Sequence, residues 1–232
     1  MKQDQRIRPK FTWIGFIARI YNYIPNPNLT SNIILGIAWL FLIFLCCGCL
    51  SKPSTFSKIL QIKSPKSTVD VGFFGVCSKA SNATENICHE LRHWDASSGM
   101  AYHAARFTWL QVHPVLLGIV VFIGTISIVL TIFKYVFPSN IRQWSISCLF
   151  TSAAACFMLA LQMGLANISA NSYSVGLNLT HQAVSKVGVP SAVFGWISSG
   201  FFFLFSVLHL GLWTIERNKI KLLEETAQTF NI

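Results

Sequence analysis

Acidic residues are scarce in this chain. Its 232 residues hold 8 Asp and Glu against 18 Lys and Arg, and none of the acids falls between Ala96 and Ile215. Charge of either sign is thin, at 11% of residues, where a soluble domain carries about 25%. The net charge of +10 would suit a nucleic-acid binder. However, the acid-free stretch contains only Arg106, Lys134, Arg142 and Lys186, from which no basic groove can be built. Nucleic acid is therefore excluded as a partner. Positive charge gathers instead at Lys2, Arg6, Arg8, Lys10 and Arg19, where it would meet anionic lipid and orient insertion.

What the chain has in abundance is apolar length: 53% of it is hydrophobic and 13% aromatic. Crossing about 30 Å of hydrocarbon takes roughly 20 apolar residues, and four stretches supply them. Span 1 covers residues 32–50, and span 2 residues 108–133, apolar and uncharged from Pro114 to Phe133. Span 3 covers 144–166, and span 4 covers 192–215. Between them lie a cytoplasmic tail (1–31), a large outer loop (51–107), a short inner loop (134–143), a short outer loop (167–191) and a second cytoplasmic tail (216–232). The stretch Phe11 to Ile24 is too short to cross and is interrupted by Arg19. Trp13, Phe16, Ile17, Ile20 and Ile24 recur at helical spacing there, which predicts a helix lying in the interface and ending at Pro25. No small-residue cleavage site follows its apolar part, so span 1 can serve as an uncleaved anchor.

Short, Lys/Arg-rich flanks place both termini on the cytoplasmic side. The large loop is also Lys-rich, but it nears the length at which that rule stops applying. Of four N-x-S/T sequons, Asn82, Asn167 and Asn178 fall outside in this arrangement and become glycosylation candidates, while Asn28 falls inside.

Of seven cysteines, Cys46, Cys47, Cys49, Cys148 and Cys156 lie in spans, where a thiol packs as a small residue. Cys77 and Cys88 remain, both in the large loop and in an oxidising compartment, and they are expected to form a disulfide. Under the loop-closure model it removes roughly 3 kcal/mol of denatured-state chain entropy. Just before it, Val69 to Val76 (VDVGFFGV) is β-branched, aromatic and Gly-punctuated, as a strand with a tight bend would be.

Gly72-Phe73-Phe74-Gly75-Val76-Cys77, followed by Cys88, resembles the claudin-superfamily signature: Gly, two bulky apolar residues, two spacers, Cys and a second Cys about ten residues on. Gly75 and the Phe-Phe pair, which is Leu-Trp in animal claudins, are similar to the fungal version. Ala104-Ala105-Arg106-Phe107 resembles the claudin pattern with an Arg at the border of the second span. The resemblance implies an all-α membrane fold, a four-helix transmembrane bundle carrying a small disulfide-stapled extracellular β-sheet. It also implies a plasma-membrane organiser or regulator in the fungal branch, whose members include pheromone-induced factors for calcium influx and mating-cell fusion, and cortical-domain and pH-signalling relatives. Its expected partners are the lipid bilayer, other membrane proteins including a calcium channel, and further copies of itself.

His89-Glu90-Leu91-Arg92-His93 reads H-E-x-x-H, a zinc-hydrolase pattern when it lies on a helix. A metzincin continuation needs Gly at 96 and His at 99, which are Ala96 and Gly99 here, and the next Glu after Glu90 is Glu216, across the membrane. Asp95 and His103 are the remaining candidates for a third ligand. The pattern is therefore not read as a metal site, and neither an enzyme nor a cofactor is expected. Cys148, Ser152, Cys156, Ala160 and Gly164 repeat at spacing four in span 3, a stripe that suits close helix packing or, alternatively, a pore lining. The spans hold no Asp or Glu of the kind that rings a cation pathway. The outer acids Asp70, Glu85, Glu90 and Asp95 could attract calcium weakly, or pair with Lys79 and Arg92. A regulator acting through helix and loop contacts and a conducting transporter are the two functional classes left.

Overall fold

The computed structural model describes residues 26–47, 58–83, 85–91, 99–137, 141–179 and 183–230. The expected interfacial helix of residues 11–24 lies outside these, as do Cys49, Arg92, His93 and Asp95. Among the described residues four helices are long and apolar enough to cross a membrane, and the chain is a multi-pass membrane protein. They are α1 (Pro27–Cys46), α3 (Pro114–Val136), α4 (Ile141–Leu179) and α5 (Val189–Phe230). A short helix, α2 (Met100–Phe107), leads through a wide π-type turn (Thr108–Val112) into α3.

Around the bundle α1 packs on α3, α3 on α4, α4 on α5 and α5 back on α1. Leu35, Ala38, Leu42 and Leu45 of α1 and Phe202, Phe205, Leu208 and Leu212 of α5 recur every three or four residues and are buried. Small residues set the spacing where aromatics need room. A Cβ on Gly124 of α3 would stand 3.2 Å from the Phe202 ring. Each of the four interfaces also carries at least one polar crossing. Trp39 Nε1 donates to Thr125 Oγ1 at 3.1 Å (α1–α3), and Ser127 Oγ to Thr151 Oγ1 at 2.9 Å (α3–α4). Ser152 and Ser206 share a hydroxyl bond of 2.9 Å (α4–α5), and Ser198 Oγ donates to the Ala38 carbonyl at 2.8 Å (α5–α1). In lipid, where apolar contact alone gives helices little reason to pair, such bonds contribute about 0.6 kcal/mol each and define rotation about the helix axes.

The five-stranded antiparallel sheet has the order β4-β3-β2-β1-β5: β1 (Leu60–Lys63), β2 (Ser67–Val71), β3 (Gly75–Ala80), β4 (Ile87–Glu90) and β5 (Val184–Val187). Side chains alternate across a strand, so Leu60, Ile62, Val69, Val71 and Val76 share the buried face. Covering that face are the alanine stripe of α2 (Ala101, Ala104, Ala105) and Tyr173 and Leu177 of α4.

Two elements differ from the sequence expectation. Residues 167–179 are helix rather than loop: α4 runs for 39 residues, about 58 Å at 1.5 Å per residue, nearly twice the hydrocarbon thickness. Residues 184–187 form an edge strand. Asn and Ser lower helix propensity in NISANSYSVGLNL, but tertiary contacts override a weak local preference. Ala166 and Ala170 are buried in the core, Tyr173 stacks on Phe107 with ring centroids 4.3 Å apart, and Ser174 Oγ accepts from Ser185 Oγ at 2.8 Å.

Candidate functional site: a hairpin locked onto the bundle

The claudin-like hexapeptide is the β2–β3 hairpin. Gly72 N donates to the Gly75 carbonyl at 2.9 Å, closing the bend. The two phenylalanines at its tip part company. Phe73 is fully buried, and it joins the core of the helical bundle rather than that of the sheet, with Ile59, Val112, Met163, Ala166 and Ala170 in the same cluster. Phe74 is half-buried at the margin of that cluster, and its carbonyl accepts the Leu91 N–H at 3.3 Å. The motif is a latch: a tight turn presents one ring to the helices, and burying a ring of this size is favourable by about 1.5–3 kcal/mol.

Directly behind the latch, Cys77 and Cys88 are bonded, with Cα atoms 4.0 Å apart. They face one another across β3 and β4, and the same cross-sheet row continues through Asp70, Gln61 and Lys186. Gln61 Nε2 donates to Asp70 Oδ1 at 2.8 Å, and Lys58 Nζ lies 3.8 Å from the same oxygen. Asp70 is therefore paired with Lys58, just ahead of β1, rather than with Lys79 as its sequence neighbourhood suggested. The staple thus sits on the face opposite the sheet's apolar side.

At the other edge the sheet is tied to α5. Gly188 N donates to the Ile59 carbonyl at 2.7 Å and Ser191 Oγ to the Lys58 carbonyl at 2.7 Å. A Cβ on Gly188 would collide with the Lys58 carbonyl, so the joint requires glycine. Asn178 Oδ1 accepts from Ser185 N at 3.1 Å, which makes this sequon residue a structural partner of β5. Asn82 is exposed in the β3–β4 turn and Asn167 is exposed on α4.

Arg106 lies in the last turn of α2, exposed and without an ion pair or hydrogen bond among the described residues. It stands two helical turns before the break at His113, on the segment that leads into α3. That break is local chemistry. Pro114 has no N–H to donate and disfavours the helical conformation before it, and His113 is left-handed at φ 50°. Buried Gln162 of α4 meets the consequence by donating Nε2 to the Val112 carbonyl at 2.6 Å. Sequence reading missed this residue, although a lone amide in an apolar span was a signal.

The spacing-four stripe divides along its length. Cys148 and Ser152 are buried, while Cys156, Ala160 and Gly164 are half-buried. A Cβ on Gly164 would meet nothing within 4 Å, so no close approach occurs there. The face that packs includes Ser145, Cys148, Ser152, Ala155, Leu159, Gln162 and Ala166, an alternation of three and four. Steps of four drift about 40° each around a helix of 3.6 residues per turn, whereas alternating steps stay on one side. Cys156 still reaches α5, with its sulfur 3.6 Å from Ser199 Oγ.

His89 and Glu90 of the zinc-like pattern are consecutive residues of strand β4 and so point to opposite faces. No group of three or more potential metal ligands occurs among the described residues.

Over 228 residues the chain is 67% identical to the delayed minus-nitrogen induction protein 2 of Schizosaccharomyces pombe, an alignment spanning 98% of this chain and 92% of the relative. The chain belongs to that protein's family. No family model matches it. The arrangement of helices, sheet and disulfide fits a claudin-like tetraspan.

Proposed function

We propose that this chain is a claudin-like organiser or regulator at the fungal cell surface, acting in mating-cell fusion or in control of calcium influx by contact with other membrane proteins. In this reading both termini are cytoplasmic, the protein resides in the plasma membrane, and the sheet faces outward. The observation that carries it is the latch: Phe73 in the bundle core couples an external sheet to the helices, so that a contact on one is felt by the other. The sheet also leaves strand β4 at its edge with Ile87 60% exposed. Thr131, Ser152 and Cys156 side chains are engaged in contacts between helices, which favours packing over a pore lining. The relative's name speaks of delayed induction on removal of nitrogen; this reading extends conditional expression of that kind to the chain. Two measurements test it. Purified protein in liposomes should carry no calcium by itself, while cells lacking it should show defective fusion or altered calcium uptake after nitrogen removal. Calcium flux through the liposomes would replace the organiser by a conducting transporter. An epitope at Ile232 that is labelled in intact cells would overturn the topology.

A further inference from the structure

Between the upper part of α4 and the start of α5 lies an open groove of about 500 Å³, lined by Asn167, Asn171, Val189, Val193, Trp196 and Ile197. Its height follows from the helix rise. Twenty residues at 1.5 Å make about 30 Å of hydrocarbon, which, counted from Ile215 on α5, ends at residue 195, and from Trp144 on α4 at residue 164. The groove therefore straddles the hydrocarbon boundary on the sheet side. Trp196 and Ile197 stand just inside it. Asn167 stands about 5 Å and Asn171 about 10 Å beyond it, with Asn171 Nδ2 donating to Asn167 Oδ1 at 3.2 Å.

Three features select the occupant. Among the described residues no charged side chain lines the groove, so neither an anionic nor a zwitterionic headgroup finds a partner there. The two amides at the rim keep donors and an acceptor beyond their mutual bond, which suits a hydroxyl. Val189, 67% exposed, lies at headgroup height and Val193, 47% exposed, at the hydrocarbon edge, where a phospholipid would set polar atoms against them. A lipid whose rigid apolar body begins directly below a small hydroxyl covers them and stacks on Trp196. We propose that this groove binds a neutral, hydroxyl-headed membrane lipid of the sterol class, with its hydroxyl at the Asn167–Asn171 pair and its ring system along Val193, Trp196 and Ile197.

A photoactivatable sterol tests this in vesicles reconstituted with the full chain. Because the vesicles hold the probe in both leaflets, the result does not depend on which way the protein faces in the cell. The Ser169→Ala background removes the Asn167 sequon, so no glycan stands at the rim. Labelled peptides should map to residues 167–171 and 193–197, and unlabelled sterol should compete. Val193→Trp, which fills the groove, should lower labelling at least tenfold. Asn171→Leu should lower it about fivefold, the worth of one hydrogen bond. Folding of each variant is checked by the intact Cys77–Cys88 bond. Label spread evenly over lipid-facing Phe122, Phe150, Phe157 and Phe203, or label unaffected by Val193→Trp, would overturn the proposal. So would equal competition by a phospholipid.

Discussion

Phe73→Ala is the most informative perturbation of this molecule, because the ring belongs in sequence to the sheet and in space to the bundle. Removing it leaves a void among Ile59, Met163, Ala166 and Ala170. Phe-to-Ala changes in packed cores cost about 3–5 kcal/mol, and every 1.4 kcal/mol is about tenfold in an equilibrium. The loss acts on docking of the hairpin, since the spans retain their own contacts. The open population of the sheet should therefore rise between about a hundredfold and a few thousandfold. Hydrogen exchange on purified protein reads this directly at the strand amides of Val69, Val71 and Val76, while amides in α1, α3 and the lower half of α4 keep their protection. Phe74→Ala provides the comparison. Half-buried, it should raise exchange only about tenfold. If Phe73→Ala leaves strand protection within about threefold of the parent, or if Phe74→Ala does the greater damage, the latch is wrongly assigned.

Four further outcomes are expected. Cys77→Ser, Cys88→Ser and the double variant should each destabilise the sheet by roughly 3 kcal/mol and share one loss-of-function phenotype, because either change removes the whole bond; a double variant worse than both singles in cell-fusion assays would refute a purely joint role. Gly164→Ala should raise thermal stability by up to about 1 kcal/mol, since the site is open and alanine favours helix, whereas Gly188→Ala should cost about 1–3 kcal/mol by driving a methyl into the Lys58 carbonyl; melting in detergent that reverses this order would contradict the geometry. Gln162→Met strands the Val112 carbonyl and should cost about 1–3 kcal/mol, and an unchanged melting temperature would show that the carbonyl has another donor. Arg106→Ala, on an exposed helix face, should alter stability by no more than about 0.5 kcal/mol; a collapse of surface yield would instead support the capping role that its place before span 2 suggests.

The four crossings were legible in the sequence because a span is set by one local quantity, apolar length, and nothing elsewhere in the chain has to agree with it. The Cys77–Cys88 bond was legible for a related reason: the spans removed every other cysteine from consideration. The bend at Gly72–Gly75 also announced itself by composition. The destination of Phe73 did not, because sheet core and bundle core are equally apolar and only the mutual placement of β2, β3 and α4 chooses between them. The polar segment 167–179 is helical for the same kind of reason. Its stabilising contacts come from Phe107 and Ser185, which no local window contains. Strand β5 depends on β1, more than 120 residues earlier, and the joint at Ser191 depends on a carbonyl 133 residues away. In the stripe of span 3, composition revealed that small residues were present, but the crossing of α4 over its neighbours decided which of them are packed. Local apolar content thus determined how often the chain enters the membrane. The long-range pairing of a hairpin, a glycine joint and an overlong helix decided how its sheet is held to the bundle.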